Sequence, residues 1–238
     1  MSTVRIRSFI AMSLGAALLM ACPSAAQDGS HGHGSHGHGS HGDGSAPPAT
    51  PAFKGDPYLL DTDPVSGAKL GEIAKQVVID HDGRELRFES DANAKAFLAE
   101  PAKYLPAVDA ALVKQQLPYY PLETCPVSGD KLGGDMGAPV DVIVKNRLVR
   151  LCCADCKDAL HKDPEKLFAK LDAAVIAKQG NPYAAKNCVV SDEAFGGEMG
   201  EPVDVVIGNR LVRLCCAGCK KKLRKDPLKF LAKLGDQK

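Results

Sequence analysis

The chain has 238 residues, with 30 basic and 29 acidic side chains and a formal net charge of +1, so it carries no cationic excess suited to nucleic acid. Tryptophan is absent and 45% of residues are hydrophobic, an ordinary soluble composition with enough apolar content for folded domains. No Ser-His-Asp set, carboxylate pair or phosphate-binding loop recurs along the chain, so catalysis is not expected.

Arg5 and Arg7 lead into an apolar run, Phe9 to Ala21, that is too short to span a bilayer and is followed by small residues. This pattern predicts an export signal over residues 1–26, and with it a periplasmic or other cell-envelope location. Two processing sites compete. Leu19-Met20-Ala21-Cys22 is an imperfect lipobox, and cleavage there would leave a lipidated Cys22 as the only expected link to a membrane; Ser24-Ala25-Ala26 permits ordinary cleavage before Gln27. Either route removes Cys22 from the free thiols and leaves the other eight of nine cysteines in an oxidising compartment.

Residues 27–56 are rich in Gly, Ser, His and Pro and have too little apolar content to bury a core, so they are expected to be a disordered linker. Five of the seven histidines fall here, at His31, His33, His36, His38 and His41. Imidazole binds copper, nickel and zinc, so this arm is either an auxiliary metal-capturing segment or a solubilising tether.

The remainder is repetitive. Sliding Cys125–Leu171 by 63 positions onto Cys188–Leu234 matches about 30 of roughly 47 residues without a gap, the self-similarity at fixed period that marks a repeat architecture. A third copy lies upstream, where Asp63-Pro64-Val65-Ser66-Gly67 mirrors Cys125-Pro126-Val127-Ser128-Gly129, and Glu100-Pro101 mirrors Asp163-Pro164. The repeats are assigned to 57–118, 119–181 and 182–238.

Each repeat follows one plan. A tyrosine (Tyr58, Tyr120 or Tyr183) stands five residues before the first potential ligand position and is expected to anchor the loop. In repeat two a Gly-rich loop leads to an alternating segment, Val140 to Val144, then a Lys145-Asn146 turn and the segment Arg147 to Leu151. These predict a β-hairpin, echoed at Asp82-Gly83 and Gly208-Asn209. The second strand runs into Cys152-Cys153-Ala154-Asp155-Cys156, where a short helix should begin with Cys153 at its N-cap. It should stop at Asp163-Pro164, which can cap and open a second helix. The fold class is therefore α+β, with three tandem repeats each built from a hairpin and two short helices.

In repeats two and three one cysteine is followed at the same interval by three more: Cys125 with Cys152, Cys153 and Cys156, and Cys188 with Cys215, Cys216 and Cys219. This is metal-ligand or disulfide spacing. Four thiolates would suit zinc, whereas three, with the fourth cysteine buried as a small hydrophobe, would suit copper(I). Adjacent strand residues face opposite ways, so Cys152 and Cys153 join one site only if the chain bends between them. A helix N-terminus would also lower the thiolate pKa of Cys153 and Cys156. Met136 and Met199, the only methionines after the leader, occupy equivalent loop positions. Each is either an auxiliary thioether ligand or a plug between loop and core.

Repeat one lacks all of this, having Asp63, Glu89, Ser90 and Asn93 where repeat two has its four cysteines, and no methionine. It must therefore fold without metal. Phe88, Phe97 and Tyr104 replace Leu151, Leu160 and Leu167, larger rings that would supply part of the missing stability, with docking against repeat two supplying the rest. The arginines at 84 and 87 recur at 147, 150, 210 and 213 whether or not thiols are present, so they read as structural. Lys220-Lys221-Lys222 reads as a solvated helix face, and His81 and His161 as surface residues.

The Pro126-Val127-Ser128-Gly129 loop, the hairpin, Leu151-Cys152-Cys153-x-x-Cys156 and Asp163-Pro164-x-Lys166 together resemble the YHS and TRASH domains. These are small treble-clef-like modules linked to heavy-metal sensing, transport and resistance. The resemblance implies a treble-clef-like fold for each repeat, copper(I) or zinc as cofactor, and metal ions and a transporter or efflux component as partners. Cys125, Cys152 and Cys156 reproduce the TRASH pattern, as do Cys188, Cys215 and Cys219. The chain departs from the YHS loop by carrying Cys125 at its Asp position and Ser128 at its Cys position, and Cys153 or Cys216 where a serine is usual. The competing function class uses the same eight cysteines as disulfides stapling an envelope module, or as an exchanging dithiol. A thioredoxin-like role is disfavoured because no βαβ pattern surrounds the motif.

Overall fold

The computed structural model describes residues 55–181, 183–196 and 200–235. Its elements alternate as the sequence predicts, in three two-stranded antiparallel hairpins each followed by two helices, but the second helix is long rather than short in repeats one and two, at 16 and 17 residues. Repeat one has β1 (Val77–His81), β2 (Arg84–Phe88), α1 (Asp91–Ala99) and α2 (Pro101–Gln116). Repeat two has β3 (Val140–Val144), β4 (Arg147–Leu151), α3 (Cys156–Lys162) and α4 (Pro164–Gly180), and repeat three has β5 (Val203–Ile207), β6 (Arg210–Leu214), α5 (Cys219–Lys225) and α6 (Pro227–Lys233). Among the described residues no helix is long and apolar enough to cross a membrane.

The hairpins share one register, with Val78 opposite Arg87, Asp141 opposite Arg150 and Asp204 opposite Arg213. Both central residues of each turn have positive φ: Asp82 and Gly83, Lys145 and Asn146, Gly208 and Asn209. This is the two-residue geometry whose twist matches the strands, and it explains the Asn and Gly at these places. In repeats two and three the cross-strand charges pair, Arg150 Nε to Asp141 Oδ1 and Arg213 Nε to Asp204 Oδ1, each at 2.7 Å. The arginines are structural, as their recurrence predicts.

Each long helix ends by serving the next hairpin. Gln116, at the end of α2, accepts from Leu148 N at 2.8 Å and donates to Asn146 O at 2.8 Å. Gln179, near the end of α4, does the same for Leu211 N and Asn209 O, both at 2.9 Å. These glutamines satisfy strand-edge backbone groups that burial would otherwise leave without partners. The turn asparagines extend the chain of contacts, with Asn146 Nδ2 donating to Glu85 O and Asn209 Nδ2 to Leu148 O.

Repeat three closes back onto repeat one. Arg87 Nη1 donates to Lys225 O at 3.0 Å, and the buried cluster of Tyr58, Leu59, Leu86, Phe88, Phe97 and Leu112 is continuous with Ile207, Val212, Leu214, Leu223 and Phe230. Gly208 lies so near Leu59 that a Cβ there would stand 2.6 Å from Leu59 Cδ1. Repeat two has its own core around Leu148, Leu151, Leu160 and Leu171. Docking of repeat one against repeat two is thus only half of the arrangement: α2 packs on β3 and β4, with Val113 against the repeat-two core and Ile143 against that of repeat one, while the apolar core of repeat one also merges with that of repeat three. Asp56, in the stretch whose composition reads as linker, is buried at the junction. It pairs with Arg147, Nε to Oδ2 at 2.7 Å, and accepts from Gly208 N at 2.7 Å. Breaking a buried pair of this kind costs about 3–5 kcal/mol.

Phe88 and Phe97 are fully buried, with ring centroids 5.5 Å apart. His81 is not simply a surface residue: it is half-buried and stands edge-on to Phe97 at 5.2 Å. His161 is exposed.

Candidate metal centre

Two segments form each site. The first is the loop after the anchoring tyrosine, pinched by an isolated bridge between Thr124 and Lys131 in repeat two and between Asn187 and Ala194 in repeat three. Within it Cys125 N donates to Asp130 O at 2.7 Å and Gly129 N to Cys125 O at 2.9 Å, and the turn needs a left-handed residue, supplied by Gly129 or by Asp192. The loop is fixed to the hairpin by the tyrosine, whose hydroxyl accepts from Arg150 N at 3.1 Å or from Arg213 N at 2.9 Å.

The second segment is the exit of the hairpin. After Leu151 the chain bends at Cys152 and Cys153, turns through Ala154 and Asp155 and becomes helical at Cys156. The bend lets the adjacent cysteines point to one region, with Sγ atoms 3.8 Å apart. The helix begins two residues later than a Cys153 N-cap would place it, and the N-cap Asp155 makes no side-chain capping bond. Repeat one shows the reason: Ser90, at the position of Cys153, caps α1 by accepting from Asn93 N, so that helix starts at once at Asp91. A thiol caps poorly, and the first turn in repeats two and three is instead a tight one, with Lys157 N bonded to Ala154 O and Cys219 N to Cys216 O.

The two segments bring together Cys125, Cys152 and Cys156 in one site, and Cys188, Cys215 and Cys219 in the other. Within each triad the sulfurs lie within 4.8 Å of one another, and all six residues are buried. Cys152 Sγ is 3.8 Å from Cys156 Sγ, and Cys215 Sγ is 3.7 Å from Cys219 Sγ. Metal–sulfur bonds of about 2.3 Å place tetrahedral ligands about 3.8 Å apart and trigonal ligands about 4.0 Å apart, so the donor sets fit a soft metal ion. Bonded disulfide sulfurs would lie about 2.05 Å apart; all eight described cysteines are free.

Cys153 and Cys216 stand apart from the triads in being half-buried rather than buried. Cys153 Sγ nevertheless lies 3.8 Å from Cys152 Sγ and 4.0 Å from Cys156 Sγ. Neither residue is the enclosed small hydrophobe that one sequence alternative allows.

The electrostatics divide the thiols. Burial pushes Cys125 up, but the amide of Ser128, the amide of Cys152, the Ser128 hydroxyl and the Val127 amide outweigh it and lower its pKa to about 6. Burial pushes Cys188 up as well, but the Cys215 amide, the Ser191 hydroxyl and amide and the Val190 amide outweigh it and lower its pKa to about 7. Burial and the neighbouring sulfurs push Cys156 and Cys219 up to about 12. The expectation that the helix N-terminus stabilises a Cys156 thiolate therefore fails: that thiol is enclosed by apolar side chains and by other sulfurs, and the favoured thiolate is in the loop. In repeat three the Cys216 thiol is lowered by the amides of Cys219 and Gly218.

Sequence reasoning missed Ser128 and Ser191 as site residues. Their hydroxyls lie 3.3 Å from Cys152 Sγ and Cys215 Sγ. The available signal was a Val-Ser pair in the loop of all three repeats. Met136 is 57% exposed, so it does not plug the core. Met199, Cys22 and His31, His33, His36, His38 and His41 lie outside the described residues.

Comparison with protein-family models, with curated proteins and with solved structures finds no match for this chain.

Proposed function

We propose that the chain is an exported binding protein for soft metal ions, holding one ion in each of its two cysteine-bearing repeats. The observation that carries this reading is the pair of triads, each with three buried cysteine sulfurs within 4.8 Å of one another. One thiolate-prone cysteine and two thiols that resist deprotonation, at chelating distance, form a donor set for a metal that binds sulfur, and a three-thiolate set favours copper(I) over zinc. The role is buffering, trafficking or resistance, with a metal transporter or efflux component as partner and no catalytic step. The resemblance of the loop and cysteine pattern to YHS and TRASH modules supports this reading and assigns each repeat a treble-clef-like fold. The leader supports delivery to the periplasm or cell envelope, with Cys22 as the lipid-anchor candidate.

The test is elemental analysis with thiol titration on protein isolated from its own compartment. Two equivalents of metal per chain, with the thiols reactive only after chelation, is the expected result. Metal-free protein whose thiols appear only after reduction would replace this reading with a disulfide-stapled or dithiol redox module.

A further inference from the structure

Each triad has a fourth thiol that its geometry leaves at the surface, and the same division is built twice. Cys125, Cys152 and Cys156 are buried while Cys153 is half-buried, and Cys188, Cys215 and Cys219 are buried while Cys216 is half-buried. Cys153 Sγ is within 3.8–4.0 Å of two triad sulfurs, close enough for a metal to be shared between them. Repeat one shows what this position does when no metal chemistry is present: Ser90 occupies it and caps the helix. A serine cap stabilises a helix relative to a residue that cannot cap. Both thiol-bearing repeats forgo that cap, and their helices start two residues later. The cysteine is therefore the inferior choice for the helix, and it stands half-buried beside the buried triad.

We propose that Cys153 and Cys216 are transfer thiols, through which a copper(I) ion carried by an external thiol compound passes into the buried triad. This deepens the metal-binding reading above and rests on it. In the first step a bond forms between the metal and Cys153 Sγ as the bond to the donor's sulfur breaks. The Cys153 proton leaves to solvent or to the departing thiolate, and the metal keeps its oxidation state. In the second step the metal–Cys153 bond breaks as bonds to Cys152 and Cys156 form, one thiol proton passing to the departing Cys153 thiolate and the remainder to solvent, and Cys125 joins as the third sulfur. Release to an acceptor thiol runs the sequence in reverse. No oxidant or reductant is needed, because every step exchanges one sulfur ligand for another.

The test uses the full chain with Cys153→Ser and Cys216→Ser introduced together. Serine at this position is already accommodated in repeat one, and thermal unfolding checks that the variant folds. Copper(I) is supplied as its glutathione complex, and loading is followed by stopped flow; affinity is measured separately by competition with a chromophoric chelator. The expected result is loading slowed by about tenfold or more, since the thiolate is the metal-binding form that must attack first, with affinity changed less than about threefold. A loss of affinity of at least about tenfold, the effect of losing even a supporting group at a metal site, would make Cys153 a permanent fourth ligand and overturn the proposal. Unchanged loading and unchanged affinity would also overturn it. If the unsubstituted protein bound no copper(I), the metal-binding reading itself would fail, a result distinct from any seen only in the variant.

Discussion

Repeat one and repeat two build the same nest of backbone amides and fill it with different chemistry. In repeat one the occupant is Asp63, whose carboxylate accepts from Val65 N at 2.7 Å, Ser66 N at 3.1 Å, Glu89 N at 2.8 Å and Asn93 Nδ2 at 3.1 Å. In repeat two the corresponding amides of Val127, Ser128 and Cys152 surround Cys125. Asn93 also donates to Glu89 Oε1 at 3.0 Å, so three side chains close by hydrogen bonds the junction that repeat two closes with thiols. The difference teaches that the nest belongs to the fold and precedes any metal: it holds an anion, either a carboxylate or a thiolate. Metal chemistry is added by the cysteines at 152 and 156.

The comparison breaks most severely at Phe97. Its ring is fully buried between Phe88 and Tyr104, at centroid distances of 5.5 and 6.2 Å. Phe97→Ala should cost about 3–5 kcal/mol. Because the core of repeat one runs into that of repeat three, this substitution should also weaken metal binding at Cys188, Cys215 and Cys219 while sparing repeat two. Chemical denaturation with site-resolved metal titration checks this; equal weakening of both sites would show that the cores are not divided as described.

Next in size is Asp63. Asp63→Ala would leave buried amides and Asn93 without their acceptor, at a cost of about 2–3 kcal/mol, the range for losing a charge-assisted partner. Converting the network instead, with Asp63→Cys, Glu89→Cys and Asn93→Cys together, should raise the metal capacity of the chain by one equivalent, measured by elemental analysis after dialysis. A folded triple variant with unchanged capacity would mean that the amide nest does not suffice to place a site.

The same nest should also titrate differently in the two repeats. Burial pushes the Asp63 carboxyl up, but the Glu89 amide, the Asn93 side chain and the Val65 and Ser66 amides outweigh it and hold it below the usual range. A depressed group stabilises the fold above its unfolded pKa and loses that contribution as pH falls, so repeat one should weaken only below about pH 4. Cys125, lowered to about 6 from 9.0, should lose its contribution to the metal-free protein between those values as pH falls. Cys156, pushed up to about 12, acts in the opposite sense: its contribution is present below 9.0 and is lost as pH rises. Hydrogen exchange of the two loops across pH would separate these transitions. With one thiolate and two thiols per triad, metal binding near pH 8 should release about two protons per site, and affinity should rise about a hundredfold per pH unit.

Much of this comparison was legible in the sequence. The hairpin at 140–151 followed from alternation and the Lys145-Asn146 turn, and the one-plus-three cysteine spacing placed Cys125 against Cys152 and Cys156. The start of α3 was misjudged because Cys153 was given a capping role that Ser90 can fill and a thiol cannot. The replacement of thiols by Asp63, Glu89 and Asn93 was visible as a loss, but not as a hydrogen-bonded substitute, since that depends on where the amides of Val65 and Glu89 point. The shared core of repeats one and three was hidden for a different reason: it arises only when the third hairpin closes back on the first, a contact with no local pattern.

The central claim is that each thiol-bearing repeat assembles its own metal site from its own cysteines. Its most direct test is the metal stoichiometry of Cys156→Ser, Cys219→Ser and the double variant, combined with X-ray absorption to measure the metal–sulfur distance. The structure predicts that the capacity of the unsubstituted chain is halved by either single substitution and abolished by the double, with sulfur ligands at about 2.3 Å. Loss of all bound metal from one single substitution, or retention of full capacity in the double variant, would contradict it.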